Sequence, residues 1–204
     1  MSVNPSPASP SAANPFSTRW IRPGAVPYLF PTGTNGAQLV VRLCELGWSA
    51  QILGEHGSGK STLLQSLRSP LEKSGRRVEL HVLHVGESRL PFDLSHTRQW
   101  GQDTQVIVDG YEQLGWYARC WLQRQCRLRN NGLLVTAHRP LRLPLLWKTE
   151  STLAVAQAVV SRLLSPDQVQ AITGADVRRA YAACAGNLRE TLFALYDVFE
   201  ERNP

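Results

Sequence analysis

Residues Gly54-Glu55-His56-Gly57-Ser58-Gly59-Lys60-Ser61 spell G-x-x-x-x-G-K-[ST], a pattern whose chemistry is the cradling of phosphate. Glycines let the backbone curl until successive N–H groups point at phosphate oxygens, and a helix opening at the end of the loop adds its positive dipole end. On this reading the nucleotide-binding segment runs from Gly54 through Thr62. Lys60 reaches the β- and γ-phosphates, and Ser61 offers its hydroxyl to Mg²⁺. The apolar run Ser49-Ala50-Gln51-Ile52-Leu53 precedes the loop and Thr62-Leu63-Leu64 follows it, which is the strand, loop, helix order the pattern requires.

A second candidate is Val106-Ile107-Val108-Asp109, an apolar strand tipped by a carboxylate. Asp109 is expected in the Mg²⁺ shell; the competing reading is a helix cap, because Gly110-Tyr111 follows. Hydrolysis also needs a group that orients the attacking water. Glu112 is placed ahead of Glu87 for that role, with a protein that binds ATP and turns it over slowly as the alternative. Leu133-Leu134-Val135-Thr136-Ala137-His138 ends another strand in polar groups. Thr136 and His138 share a face, so either is a candidate to sense phosphate or position water, against an ordinary polar strand end. Arg139 and Arg142 are candidate phosphate donors from this subunit or a neighbour, or plain surface arginines.

These residues need a scaffold. Leu39, Val40, Leu43 and Leu46 recur at helical spacing and predict a helix over 36–46, and the loop helix is expected over 60–73. Strands are predicted at 49–53, 78–85, 105–109 and 132–137, with a helix over 112–129 buried along Leu114, Tyr117, Trp121 and Leu128. Strands alternating with helices imply an α/β fold, a parallel sheet covered on both faces in three layers, with ligands bound outside the carboxyl ends of its strands. From Pro166 the strand signals stop, and helices are expected over 167–172, 176–183 and 187–202. The organisation read from this is a disordered tail over 1–14, a core over 15–150 and a small helical lid over 151–204. The arm that opens the core, Asn14 to Gly24, packs on it or forms a partly ordered linker.

Composition narrows the class. The chain has 204 residues, 43% of them hydrophobic, enough for one α/β core with an appendage. No apolar run approaches the length of a membrane span, and the Pro, Ser and Ala-rich N-terminus lacks the basic and apolar regions of a signal peptide, so a cytoplasmic protein is expected. Cys44, Cys120, Cys126 and Cys184 have no C-x-x-C spacing and are expected as thiols. His81 and His84 tempt as metal ligands, but their odd separation points them to opposite faces of a strand. Both are therefore expected as ordinary strand residues, without structural metal. A net charge of +6 permits an anionic partner without identifying one.

Together these elements resemble the additional-strand, catalytic-glutamate division of P-loop ATPases, with Walker A at 54–61 and Walker B ending at Asp109. The run Ala185-Gly186-Asn187-Leu188-Arg189-Glu190 resembles the sensor 2 helix of AAA+ ATPases, which implies that Arg189 reads the γ-phosphate. The resemblance covers residues 36–204 and implies ATP and Mg²⁺ as cofactors and a small switch or loader as the function. It also departs from the family. Gly110 stands where many such ATPases carry glutamate, and no arginine finger or pore loop is evident. An ABC transporter ATPase would share His138 but lacks here its L-S-G-G-Q signature. Two further readings are a nucleotide or small-metabolite kinase, and an ATP-dependent module binding DNA or protein through the arginine-rich helix at Arg119, Arg124, Arg127 and Arg129. A protein partner, a homo-oligomer or nucleic acid are the partners these readings allow beside the nucleotide.

Overall fold

A computed structural model describes residues 14–203. Its contacts divide the chain into two units, one formed by Pro27–Glu150 and the other, among the described residues, by 14–26 with 151–203.

The first unit begins with helix α2 (Gly36–Glu45), after a short α1 (Thr18–Ile21) that belongs to the second. Asn35 opens α2 with a reciprocal cap: its side chain accepts from Gln38 N, and Gln38 Oε1 accepts from Asn35 N, both at 3.0 Å. Strand β1 (Ser49–Leu53) follows, then α3 (Lys60–Lys73), β2 (Arg77–Val82), the single-turn α4 (Leu94–Thr97), β3 (Thr104–Asp109), α5 (Trp116–Leu128), β4 (Gly132–Ala137) and β5 (Leu145–Lys148). The five strands form one parallel sheet in the order β2-β3-β4-β1-β5. β3 and β4 are its most deeply covered strands, which is why both read as almost unbroken apolar runs.

Alternate residues of these strands feed two apolar clusters. Ala50, Ile52, Ile107 and Leu134 meet Leu39, Leu43, Leu63, Leu64, Leu67 and Leu71 from α2 and α3. Val106, Val108, Leu133 and Val135 meet Tyr111, Leu114, Leu122 and Cys126. Period-two alternation therefore serves two cores at once, compatible with a three-layer α/β/α arrangement. The Cys126 thiol is pushed up to about 12 by burial, and all four cysteines are unpaired.

In this unit three expectations change. Strand β5 was not foreseen, because four residues after Pro144 carry too short a pattern; β1 nonetheless recruits it, pairing Gln51 with Leu145 and Ile52 with Trp147 across a register shift. His84 lies beyond β2. The helix expected over 112–129 is broken: a 3-10 turn covers Tyr111–Gln113, Leu114 is extended, and α5 restarts at Trp116. The restart rotates the buried face, so that Leu122 and Cys126 point inward while Tyr117 is 82% and Leu128 66% exposed. Only Leu114 of the expected stripe is fully buried, and it is not helical.

The second unit holds α6 (Leu153–Leu163), a 3-10 turn (Pro166–Gln168), α7 (Gly174–Ala183) and α8 (Leu188–Arg202). The segment expected as a helix over 167–172 is thus only a turn. The N-terminal arm groups here, with Phe16 edge-on to Phe199 at 6.3 Å. Asn14, expected to end the disordered tail, is buried, and its Nδ2 donates to Tyr196 O at 3.1 Å and Glu200 Oε1 at 2.7 Å. The rest of that tail lies outside the described residues. Among them, no helix is long and apolar enough to cross a membrane.

Asp176 ties α7 to α8. It accepts from Arg202 Nη1 at 2.8 Å and Nη2 at 2.9 Å, and from Thr173 N at 2.9 Å and Oγ1 at 2.7 Å. The Arg202 and Thr173 bonds hold its carboxyl well below the ordinary carboxylate range. A carboxyl depressed on folding contributes stability above its unfolded value of 3.8, and that contribution is lost as pH falls through the folded value. Asp176→Asn is therefore expected to lower the thermal midpoint at pH 7 and to flatten its decline below about pH 4. A wild-type acid slope in the variant would contradict this.

Candidate functional site

The turn out of β1 is shaped by a close approach. A Cβ on Gly54 would lie 2.1 Å from Thr149 Oγ1 and 2.5 Å from Ser58 Oγ, so only glycine lets the loop pass between them. Ser58 closes the loop on itself, donating from N to Glu55 O at 3.2 Å and from Oγ to the same oxygen at 2.8 Å, and its Oγ shares a 2.7 Å hydrogen bond with Thr149. The chain then runs through Gly57 (φ 72°) and Gly59 (φ 92°) into α3, whose first N–H groups have no carbonyl ahead of them within the helix. The Tyr28 ring lies beside Gly59, 3.4 Å from where a Cβ would stand, and its hydroxyl accepts from Trp147 Nε1 at 3.2 Å.

Lys60 is 9% exposed. Its ammonium donates to Gly54 O and Glu55 O, each at 2.8 Å, and lies 3.2 Å from His138 Nδ1. Burial and then the Lys60 charge depress the His138 pKa, with His56 adding to them and Glu112 opposing. The imidazole is accordingly neutral at pH 7, with one N–H. Its Nε2 lies 3.0 Å from Glu112 Oε1, and with the proton on Nε2 the Nδ1 lone pair would accept from Lys60. With the proton on Nδ1 instead, that nitrogen would donate to Gly54 O, 2.9 Å away. His56 covers the outer face of His138, with ring centroids 3.7 Å apart.

Glu112 is half-buried, and its second oxygen, Oε2, is buried without a hydrogen-bond partner among the described residues. A buried carboxylate oxygen with no donor is costly, and an ordered water or a ligand is the usual remedy. The neighbouring strand tips carry a second linkage: Thr136 Oγ1 donates to Asp109 Oδ1 at 2.6 Å and accepts from Gly110 N at 2.8 Å. Thr136 is fully buried, so it holds Asp109 and the turn after it.

That turn explains why no glutamate follows Asp109. Gly110 has φ +79°, and a Cβ there would lie 2.6 Å from Leu83 O. The 3-10 turn that starts at Gly110 instead returns Glu112 to His138.

No protein-family model matches the chain, and a search of curated proteins finds no match either.

The tertiary structure thus gathers Lys60, His138 and Glu112 into one chain of contacts, with Asp109 and Thr136 forming a second at adjacent strand ends. Ser61 and Thr62 lie half-buried on the first turn of α3, while Glu55 and His56 are exposed. Glu87 is engaged locally, its Oε2 accepting from His84 N at 2.7 Å. Arg139 and Arg142 are exposed. Arg189 is an exposed residue of α8, in the other unit. Thr149 and Tyr28 were not foreseen. No spacing links either to residues 54–61; they reach the loop only through β5 and the segment ahead of α2.

Proposed function

We propose that the chain binds Mg-ATP through Gly54–Thr62 and hydrolyses it, acting as a small AAA+-like switch or loader. One observation carries the reading: Lys60, at the head of α3, lies against His138, which in turn lies 3.0 Å from Glu112, whose buried Oε2 has no donor among the described residues. Phosphate oxygens would exchange for the carbonyls that now accept from Lys60. Glu112 Oε2 would accept a hydrogen bond from the attacking water, with His138 Nε2–H fixing the carboxylate through its other oxygen. Thr136 keeps Asp109 oriented. The donor set fits a divalent cation, with the Ser61 hydroxyl and the Asp109 carboxylate as hard oxygen ligands. Mg²⁺ held there would neutralise charge on the phosphates.

The test separates binding from turnover. Glu112→Gln keeps the side-chain shape, so ATP affinity measured by calorimetry is expected to stay within about twofold while phosphate release falls about a hundredfold or more. Glu87→Gln is expected to leave both unchanged, because that carboxylate only closes its own turn. The opposite pattern would move the role to Glu87. A second reading, an ATP-dependent binding module with little hydrolysis, is favoured by Gly110 beside Asp109 and by the exposed Trp116 and Tyr117 pair, 4.8 Å apart, at the head of the basic α5. ATP binding by wild type without phosphate release would select it.

A further inference from the structure

Edge strand β2 carries Glu79 and His81 two residues apart, and therefore on one face. Opposite them stands His96 of α4, in the long connection between β2 and β3. One ligand atom from each of the three residues lies within 4.8 Å of the other two. Arg77 occupies Glu79 Oε1 at 3.1 Å, while Oε2 lies 4.0 Å from His96 Nε2. Phe92 lines both imidazoles, with centroids 4.4 Å from His81 and 5.5 Å from His96.

The arrangement leaves an unmet demand. The Nε2 atoms of His81 and His96 are both buried without a hydrogen-bond partner among the described residues. Buried imidazole nitrogens without partners are uncommon, and two imidazoles and a carboxylate that each bring a ligand atom within 4.8 Å of the others make a ligand set. We infer that Glu79, His81 and His96 form a zinc site, separate from the 54–61 loop and independent of nucleotide.

The donor chemistry selects the metal. Two imidazoles with one carboxylate suit Zn²⁺ and its first-row neighbours, whereas Mg²⁺ and Ca²⁺ take oxygen ligands. Ligand atoms around a tetrahedral zinc at 2.0–2.2 Å are roughly 3.4 Å apart, so the three groups close by about 1.5 Å at most, within reach of side-chain rotation. Three protein ligands leave a fourth position for water. Binding here pins α4 to β2.

The experiment is equilibrium dialysis of the full chain, without nucleotide, against Zn²⁺ in excess Mg²⁺, paired with Co²⁺ absorption spectroscopy. One metal per chain is expected, with cobalt d–d bands and no thiolate charge-transfer band, since Cys44 and Cys120 are exposed thiols that would otherwise compete. His96→Ala and His81→Ala are each expected to weaken binding about a hundredfold and to abolish the zinc-dependent rise in thermal midpoint. Circular dichroism on each variant distinguishes lost metal from lost fold. Glu79→Gln, which keeps the shape, is expected to weaken binding at least about tenfold with an unchanged spectrum of the metal-free protein. His138→Ala is the control and should bind zinc like wild type. A folded wild type that takes up no zinc, a charge-transfer band, undiminished binding in folded His96→Ala, or loss of the metal in His138→Ala would each overturn the assignment.

Discussion

Lys60→Ala is expected to weaken ATP binding roughly tenfold to a hundredfold, the worth of one charge-assisted contact, and to bring phosphate release to background. The same substitution removes the donor to Gly54 O, Glu55 O and His138 Nδ1, so thermal unfolding must accompany the binding measurement. An internal marker is available. The Lys60 charge is one of the causes that depress the His138 pKa, so its removal should move that pKa upward, read by NMR titration of the imidazole. Wild-type ATP affinity in a folded Lys60→Ala protein, with the His138 shift present, would show that the loop geometry is right and the nucleotide reading wrong. Absence of the shift would show that Lys60 does not sit against His138.

Gly110→Ala is expected to destabilise the protein by about 2–4 kcal/mol in urea unfolding, combining the left-handed backbone cost with forced displacement of the Leu83 carbonyl. The effect should extend to chemistry. Gly110 N donates to Thr136 Oγ1, which donates to Asp109, so a shifted turn misaims the Asp109 carboxylate and returns Glu112 to His138 less well. Metal-dependent turnover should fall more than ATP affinity does. A variant within about 0.5 kcal/mol of wild type would mean that the turn relaxes freely and that glycine is not required there. Gly110→Glu is expected to fare worse than Gly110→Ala, although it recreates the usual acidic pair. The position is closed to any side chain by the Leu83 backbone.

Much of the scaffold was legible in the chain because it rests on local signals. β1, β4 and α3 fall at 49–53, 132–137 and 60–73, where apolar runs and glycines mark their limits. The α/β character followed from the alternation of strand and helix patterns, and the parallel sheet bears it out. Local signals failed where the chain turns against a distant partner. Nothing in Leu145–Lys148 announces a strand; an open edge of β1 makes it one. The stripe Leu114, Tyr117, Trp121 and Leu128 has helical spacing, yet the left-handed turn at Gly110 and the extended Leu114 reset the helix and bury Leu122 and Cys126 instead.

The candidate site divides in the same way. Sequence by itself determined the loop at 54–61, the acidic strand tip at Asp109 and the polar strand end at Thr136 and His138, because each is a short run whose chemistry depends on neighbours in the chain. Only the tertiary structure decided that Glu112 reaches His138, that Thr136 serves Asp109, and that Thr149 braces the loop. The same holds for the second histidine cluster, where the sequence offered His81 with His84 and the fold supplied Glu79 and His96. The physical reason is common to all of them. A side chain's type is written locally, but its partner is set by strand register and by which segments the sheet brings to one end, and those depend on burial summed over the whole core.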